Sequence, residues 1–133
     1  MEEKNNEATP QRIKDHILDA QLVSINLPLF IEQIKQEPTW KDSDRNAITV
    51  FKTSGLRIVL IALHEGAEMT KHTANGHISV QVLEGQIKFT TDLQSVELSK
   101  GQMLALHEGI PHSVLAIEET VFLLTLTTTL AEK

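Results

Sequence analysis

The pattern of apolar residues changes near Ala47, and the two parts of the chain predict different structures. Before Ala47, apolar residues recur at the spacing of a helix face, and after it short apolar runs alternate with turn residues. The length of 133 residues fits one domain. We therefore expect an N-terminal tail and helical segment over residues 1–46, followed by a β-barrel over residues 47–133, in a single domain overall.

The best helix of the first part lies between Asn26, which can cap it, and Pro38, which ends it. Its apolar residues are Phe30, Ile31 and Ile34. A weaker amphipathic pattern covers Gln11–Ala20. Trp40 is the only tryptophan, and we expect it to seal the helix against the barrel wall.

After Ala47 the sequence predicts β-strands separated by short, often glycine-containing turns. The eight expected strands are Ala47–Thr53, Leu56–Leu63, Ile78–Leu83, Gln86–Thr91, Gln94–Leu98, Gln102–Leu106, His112–Ile117 and Thr120–Thr127. Turns this tight favour antiparallel hairpins and Greek-key returns. Eight strands at this spacing predict an all-β double-sheet jelly roll or a small barrel.

Strand alternation predicts which side chains face the barrel interior. The expected interior residues are Ile58, Leu60, Ala62, Ile78, Val80, Val82, Met103, Ala105, Val114 and Phe122. The opposite face is also apolar, with Val59, Ile61, Leu63, Leu104 and Leu106. A sheet that is apolar on both faces needs a second cover, so we expect a homodimer built by sheet packing and helped by the N-terminal helix.

Composition excludes several classes of function. The chain has no cysteine, which rules out disulfides, thiolate zinc sites and cysteine nucleophiles and fits a reducing cytoplasm. Its net charge is −6 without a cluster of basic residues, so a nucleic-acid partner is not expected. There is no secretory signal and no apolar run long enough to cross a membrane. We expect a cytoplasmic protein without a membrane partner.

Two histidine-bearing blocks, residues 72–85 and 101–112, enclose a short hairpin. If the Asn75-Gly76 turn keeps the strand phase, His72 shares an inward face with the residues that follow it, and His112 begins a facing row. The predicted pocket residues are His72, Ala74, Ile78, Val80, His107, His112 and Val114. Such a pocket is apolar with a few imidazoles, which suits a small, partly apolar ligand.

The two blocks resemble the paired motifs of the cupin superfamily, G-x5-H-x-H-x3,4-E-x6-G and G-x5-P-x-G-x2-H-x3-N. The matching residues are Gly66, His72 and Gly85 in the first motif and Gly101, Gly109 and His112 in the second. The departures are Ala74 for a histidine, Ile78 for the glutamate, His107 for the proline and Ala116 for the asparagine. The resemblance covers residues 47–128. It implies a double-stranded β-helix, the cupin jelly roll, with a short N-terminal helical segment, as in small bacterial cupins, which are typically dimers.

In the complete cupin motif, three histidines and a carboxylate hold Fe, Mn or Ni, and here half of that set is missing. His77 and His107 are candidates to complete it, and the predicted metal ligands are His72, His77 and His112, for one divalent transition metal (Fe, Mn, Ni or Zn). As plain strand, His77 has the parity of an outward-facing residue. An alternative of equal weight is that His72 and His112 bind no metal. They are then neutral histidines that hydrogen-bond to each other, to water or to a ligand.

The other histidine and glutamate residues that were considered are interpreted as surface or turn residues and not as parts of the site. His64 is predicted to be a solvated turn residue, and His16 to lie on the surface of the first helix. Glu84 and Glu108 flank turns and are expected to be solvent-exposed carboxylates. None of these residues is a preferred general base, so no catalytic residue is predicted.

Two functions remain, and the sequence leaves open whether the protein is an enzyme. The first is a small-molecule-binding cupin with a histidine-lined apolar pocket, possible metal binding and no defined reaction. The alternative is a metal-dependent cupin enzyme of the dioxygenase or isomerase type that uses His72, His77 and His112. A third interpretation, a ligand-binding module that serves a regulator, is also open, because sensor domains share this fold.

Overall fold

The computed structural model describes residues 7–8 and 20–128 of the chain. The weak helix expected at Gln11–Ala20, apart from Ala20 itself, lies outside the described residues, as does His16. Two short strands, β1 (Glu7–Ala8) and β2 (Ser24–Ile25), pair in parallel ahead of the helices α1 (Leu27–Gln36) and α2 (Pro38–Asp42). These elements precede the barrel.

Nine strands form the barrel, one more than predicted. They are β3 (Arg45–Lys52), β4 (Leu56–Leu63), β5 (Glu68–His72), β6 (Ile78–Glu84), β7 (Gln86–Thr91), β8 (Ser95–Ser99), β9 (Met103–Leu106), β10 (His112–Ala116) and β11 (Thr120–Thr127). A five-stranded sheet has the order β3-β4-β11-β6-β9, and a four-stranded sheet has the order β5-β10-β7-β8. All neighbours in these two sheets are antiparallel, so the predicted all-β jelly roll is confirmed.

The two sheets enclose the main core, to which both contribute large buried side chains. Val80, Val82 and Phe122 come from the five-stranded sheet, and Ile87 and Phe89 come from the four-stranded sheet. Every one of these side chains is at most 3% exposed. Burying a large apolar side chain contributes about 1.5–3 kcal/mol, so this layer is a major source of stability.

Helix α1 covers the outer face of the five-stranded sheet. Asn26 caps it by accepting a hydrogen bond from the Leu29 backbone N–H at 3.2 Å, as predicted. Phe30 and Ile34 are fully buried in a second core that includes Ile48, Leu60 and Val121. Trp40 is also buried there, with 7% of its surface exposed, which confirms its predicted structural role.

Two polar contacts fix α1 on the sheet. The Asn46 side-chain amide, which is 4% exposed, donates to the Ile34 carbonyl at 3.0 Å. Lys35 Nζ lies 2.8 Å from Glu84 Oε1 and 3.5 Å from a Glu119 carboxylate oxygen. Partial burial opposes the charge of Lys35, but the two carboxylates outweigh it and raise its pKa. Glu84 is solvent-accessible as expected, with 43% of its side chain exposed, but it is paired with Lys35.

The predicted interior row was partly wrong. Ile78, Val80, Val82, Val114 and Phe122 face the core between the sheets, as expected, whereas Ile58, Leu60 and Ala62 face the α1 layer. Their neighbours Val59, Ile61 and Leu63 face the core instead. In β9, Leu104 and Leu106 pack inward, while Met103 is 56% exposed and Ala105 is exposed. Apart from Arg57, both strands are apolar at every position, so no polar face sets their phase.

The α1 layer also changes the argument for a dimer. The outer face of the five-stranded sheet needs a cover, as predicted, but the cover comes from the same chain. A second copy is therefore not required to bury that face. The homodimer stays a prediction that rests on the resemblance to small cupins.

Candidate functional site

Two loops connect the sheets at one end of the barrel, and we call this end the mouth. Residues 73–77 lead from β5 to β6, and residues 107–111 lead from β9 to β10. The Gly109 backbone N–H donates to the Ala74 carbonyl at 3.0 Å, so the loops are in direct contact. Four of the six histidines of the chain lie in these loops or at the adjacent strand ends.

In the predicted inward row from His72 to Val82, Ile78, Val80 and Val82 face the core as expected, and Ala74 packs against it. His72 is the exception, because it is exposed and belongs to the other sheet. His72 ends β5 in the four-stranded sheet, and Ile78 begins β6 in the five-stranded sheet. The Asn75-Gly76 turn does not keep a strand phase but carries the chain across the mouth. The four histidines therefore form two pairs, one at the edge of each sheet.

The first pair, His72 and His112, sits at aligned positions of β5 and β10. The ring centroids are 4.3 Å apart, with the rings edge to face at 61°. His72 Nδ1 lies 2.7 Å from the Thr70 carbonyl, and His112 Nδ1 lies 2.9 Å from the Ile110 carbonyl. Because a carbonyl oxygen only accepts, each Nδ1 carries the proton, and each Nε2 is an acceptor in the neutral ring.

The two rings of this pair differ in exposure. His112 is 4% exposed, whereas His72 is exposed. Burial lowers the pKa of His112 below its ordinary value of 6.5; the bond to Ile110 opposes this shift, and the charge of a protonated His72 adds to it. His112 is therefore neutral at neutral pH. Phe89 stacks on its ring, with centroids 5.2 Å apart and planes 11° from parallel.

The second pair, His77 and His107, flanks the paired strands β6 and β9, in which Ile78 is aligned with Leu106. Their ring centroids are 5.1 Å apart at 81°. The Glu108 backbone N–H donates to His77 Nδ1 at 3.3 Å. Nδ1 of His77 is therefore unprotonated, and Nε2 carries the proton in the neutral ring. This tautomer is the opposite of that in the first pair.

The backbone of His77 is held by the last strand of the barrel. His77 N–H donates to Thr127 Oγ1 at 3.1 Å, and the Thr127 N–H donates to the His77 carbonyl at 3.0 Å. A Cβ atom at Gly76 would lie 1.6 Å from the Thr127 carbonyl oxygen, so only glycine fits this contact. The second histidine pair is thus built on a tightly fixed loop.

Two cavities open at the mouth. One has a volume of about 250 Å³ and is lined by His77, Ile78, Ala105, Leu106 and His107. The other has a volume of about 120 Å³ and is lined by Phe89, Thr91, Gln94, Val96, Leu104, Ala105 and Leu106. They share Ala105 and Leu106 and are therefore adjacent. An engineered apolar cavity of about 150 Å³ holds benzene, so both are in the range of a small ring compound.

The predicted pocket residues occupy different places around these cavities. Ile78 and His107 line the larger cavity, whereas His72 and His112 line neither of the two. Phe89, which lines the smaller cavity, stacks on the His112 ring. Val80 and Val114 are core residues with 1% and 3% exposure, and Ala74 packs against that core. Phe89 and Leu106 were not predicted for the pocket. For Leu106 the missing information was the phase of β9.

The described residues of the mouth do not form a metal site with three protein ligands. Among the described residues, no three His, Asp or Glu side chains are grouped so that they could hold one metal ion. Catalytic zinc sites use three protein ligands and structural sites use four. His72 and His112 supply two acceptors, but His77 pairs with His107 instead and uses Nδ1 to bind Glu108. The predicted ligand set does not fit as one site, and metal binding itself stays a prediction.

His64 lies away from the mouth and was wrongly predicted to be a solvated turn residue. Its ring stacks on Trp40 with centroids 3.4 Å apart and planes 16° from parallel. His64 Nε2 is 2.9 Å from the Trp40 carbonyl. It therefore helps to fasten α2 to the end of β4.

The described part of the chain contains no helix with both the length and the apolar composition needed to span a bilayer.

Solved structures with the same arrangement of strands carry the cupin name. A cupin superfamily protein from Desulfitobacterium hafniense matches with a TM-score of 0.69 and 15% identity, over 90% of this chain and 100% of that chain. An RmlC-like cupin from Desulfovibrio desulfuricans matches with a TM-score of 0.61 and 24% identity, over 69% of this chain and 90% of that chain. The chain therefore has the fold of these cupins.

A third match is a conserved protein of unknown function from Streptococcus pyogenes, with a TM-score of 0.63 and 26% identity. It covers 71% of this chain and 87% of that chain. No protein-family model matches the chain, and none of the curated proteins matches it. The predicted cupin fold is confirmed, and the function has to be argued from the mouth.

Proposed function

We propose that this protein binds a small, largely apolar molecule at the mouth and that His72 and His112 accept a hydrogen bond from the donor group of the ligand. The observation that carries the proposal is the shared tautomer of the two rings, which the Thr70 and Ile110 carbonyls impose through Nδ1. Binding requires neither a metal nor turnover.

The acceptor character of this pair is favoured by its surroundings. Burial lowers the pKa of His112, so its Nε2 keeps a lone pair near neutral pH. Among the described residues, neither Nε2 has a hydrogen-bond partner in the protein. A polar group in an apolar setting gains from a partner, and a hydroxyl or N–H group of a ligand provides one.

The apolar part of the ligand has a surface to contact next to this pair. Phe89 stacks on His112 and also lines the smaller cavity, together with Val96, Leu104 and Leu106. Apolar walls with few polar groups are the usual composition of small-molecule sites. The ring of Phe89 therefore links the buried imidazole to the space that a ligand would fill.

Phenol and anisole are matched probes for this proposal, because they share an aromatic ring and only phenol has a donor. We expect phenol to bind roughly 2- to 10-fold more tightly than anisole, as one neutral hydrogen bond allows. Binding is measured by ligand-observed NMR, and the Nε2 resonances of histidine-labelled protein report contact at His72 and His112.

The variants His72→Ala and His112→Phe should remove the preference for phenol, because each removes an acceptor. Lys71→Ala is the control, since Lys71 is an exposed neighbour of His72 whose side chain pairs with Asp92. Equal binding of phenol and anisole to the unchanged protein, or no binding of either, would contradict the proposal.

The metal-dependent enzyme is tested in the same preparation. Protein purified without a histidine tag is expected to contain less than stoichiometric metal. Near-stoichiometric Fe, Mn, Ni or Zn that is lost in the His72→Ala/His112→Ala double variant would instead favour the enzyme and a metal held by two imidazoles and ligands from outside the described residues.

A further inference from the structure

We propose that His77 supplies the opposite half of this ligand site by donating a hydrogen bond from Nε2 to a carbonyl oxygen of the ligand. The mouth would then select elongated molecules with a donor at one end and a carbonyl at the other. The inference rests on the proposed function, because it assigns the second end of the same ligand.

The two histidine pairs have opposite tautomers, which favours a ligand with two different polar groups. The Glu108 N–H occupies His77 Nδ1, so the remaining ring nitrogen of His77 is a donor. His72 and His112 are fixed the other way and offer acceptors. A ligand that satisfies both walls must therefore carry complementary groups, a donor toward the four-stranded sheet and an acceptor toward the five-stranded sheet.

The two histidine pairs are also separated in space, which favours a ligand whose polar groups are far apart. The two pairs belong to different sheets, and packed sheets lie about 10 Å apart. The two cavities share Ala105 and Leu106, so a molecule in one adjoins the space of the other. The polar groups of the ligand must then stand at opposite ends of an apolar body and not on neighbouring atoms.

His77 is held in place before any ligand arrives. One backbone hydrogen bond, from the Thr127 N–H to the His77 carbonyl, and one from the His77 N–H to Thr127 Oγ1 tie it to Thr127, and Gly76 lies against the same residue. Its ring is further fixed by Glu108 and touches His107 edge to face. A donor that is already ordered loses little conformational entropy when it binds.

Charge favours a neutral carbonyl over a carboxylate as the acceptor. The chain carries a net charge of −6. A ligand carboxylate would be repelled by this field, whereas a ketone or amide oxygen would not.

The test uses 4-hydroxyacetophenone, which has a hydroxyl and a ketone at opposite ends of a ring, and 2-hydroxyacetophenone, in which the same groups are adjacent. Dissociation constants are measured by ligand-observed NMR, with phenol as the donor-only reference. We expect the 4-isomer to bind roughly 2- to 10-fold more tightly than phenol, as one added hydrogen bond allows. The 2-isomer should gain nothing over phenol.

Variants at His77 locate the effect. His77→Leu should bring the affinity for the 4-isomer down to the affinity of the same variant for phenol, and His77→Gln, which keeps an N–H donor, should restore part of the difference. If phenol binds but the 4-isomer is no tighter, or if His77→Leu weakens both equally, this inference is overturned while the proposed function stands. If phenol shows no preference over anisole, the proposed function fails first.

Discussion

At the scale of single residues, the chemistry of the mouth is decided by backbone groups that face the imidazoles. Carbonyls of Thr70 and Ile110 make His72 and His112 acceptors, and the N–H of Glu108 makes His77 a donor. Histidine alone specifies neither role, because its two tautomers are close in energy. The loops that present these backbone groups therefore determine which ring nitrogens of the mouth are donors and which are acceptors.

Protonation of His112 should cost stability. Burial lowers its pKa in the folded state below the value of 6.5 that it has when unfolded, so the unfolded chain binds this proton more readily. The contribution to stability is full above about pH 6.5 and is lost as the pH falls through the lowered pKa. Urea unfolding between pH 8 and pH 5 should show a falling free energy of unfolding, with a smaller slope in His112→Phe. Identical slopes in both proteins would contradict this.

Gly76 is predicted to be irreplaceable. In Gly76→Ala the new Cβ would overlap the Thr127 carbonyl, so the loop or β11 must move, at a cost of roughly 1–3 kcal/mol. Gly55→Ala is the matched control, because nothing lies within 4 Å of a Cβ there. Urea denaturation measures both. A loss no larger in Gly76→Ala than in Gly55→Ala would show that the contact is unimportant.

At the scale of secondary-structure elements, α1 acts as the outer wall of the barrel. Phe30→Ala should lower the free energy of unfolding by about 3–5 kcal/mol, because the side chain is fully buried between α1 and the five-stranded sheet. Its neighbour Leu29 is 39% exposed, and Leu29→Ala should cost far less. Chemical denaturation of the two variants makes the comparison, and similar losses would mean that α1 is not packed as described.

The elements could be predicted where a local pattern exists and were missed where it does not. The helix after Asn26 and most strands carry caps, alternation and glycine turns that indicate them directly. Strand β5 reads Glu-Met-Thr-Lys-His and has one half-buried side chain among exposed ones, so it shows no apolar run. The prediction of which β4 side chains face the core was wrong, because α1 and the core bury the two faces of this strand alike.

At the scale of the whole molecule, the glycine and histidine spacing predicted the cupin fold, but the site depended on pairings that spacing does not contain. His72 meets His112 and His77 meets His107 because the chain crosses between sheets at residues 73–77. Periodicity within one strand cannot reveal such a crossing. The hydrogen bonds that set the histidine tautomers are still harder to predict from the sequence, because they depend on loop geometry.

The homodimer is a prediction at this scale. Light scattering on a sizing column should give twice the chain mass of 14.8 kDa. The α1 layer already covers the outer face of the five-stranded sheet, so Phe30→Ala is not expected to act by opening an interface. A mass of one chain that does not change with protein concentration would contradict the prediction.

The contact between Gly76 and Thr127 also bears on when the mouth of a newly made chain takes its final geometry. All four histidines of the mouth precede Thr127 in the chain, but His77 is fixed only when β11, the last described strand, pairs beside it. Chains are synthesised from the N-terminus, and contacts between distant segments form late. A nascent polypeptide halted before Thr127 would contain all four histidines of the mouth but would lack the contacts that fix the position of His77.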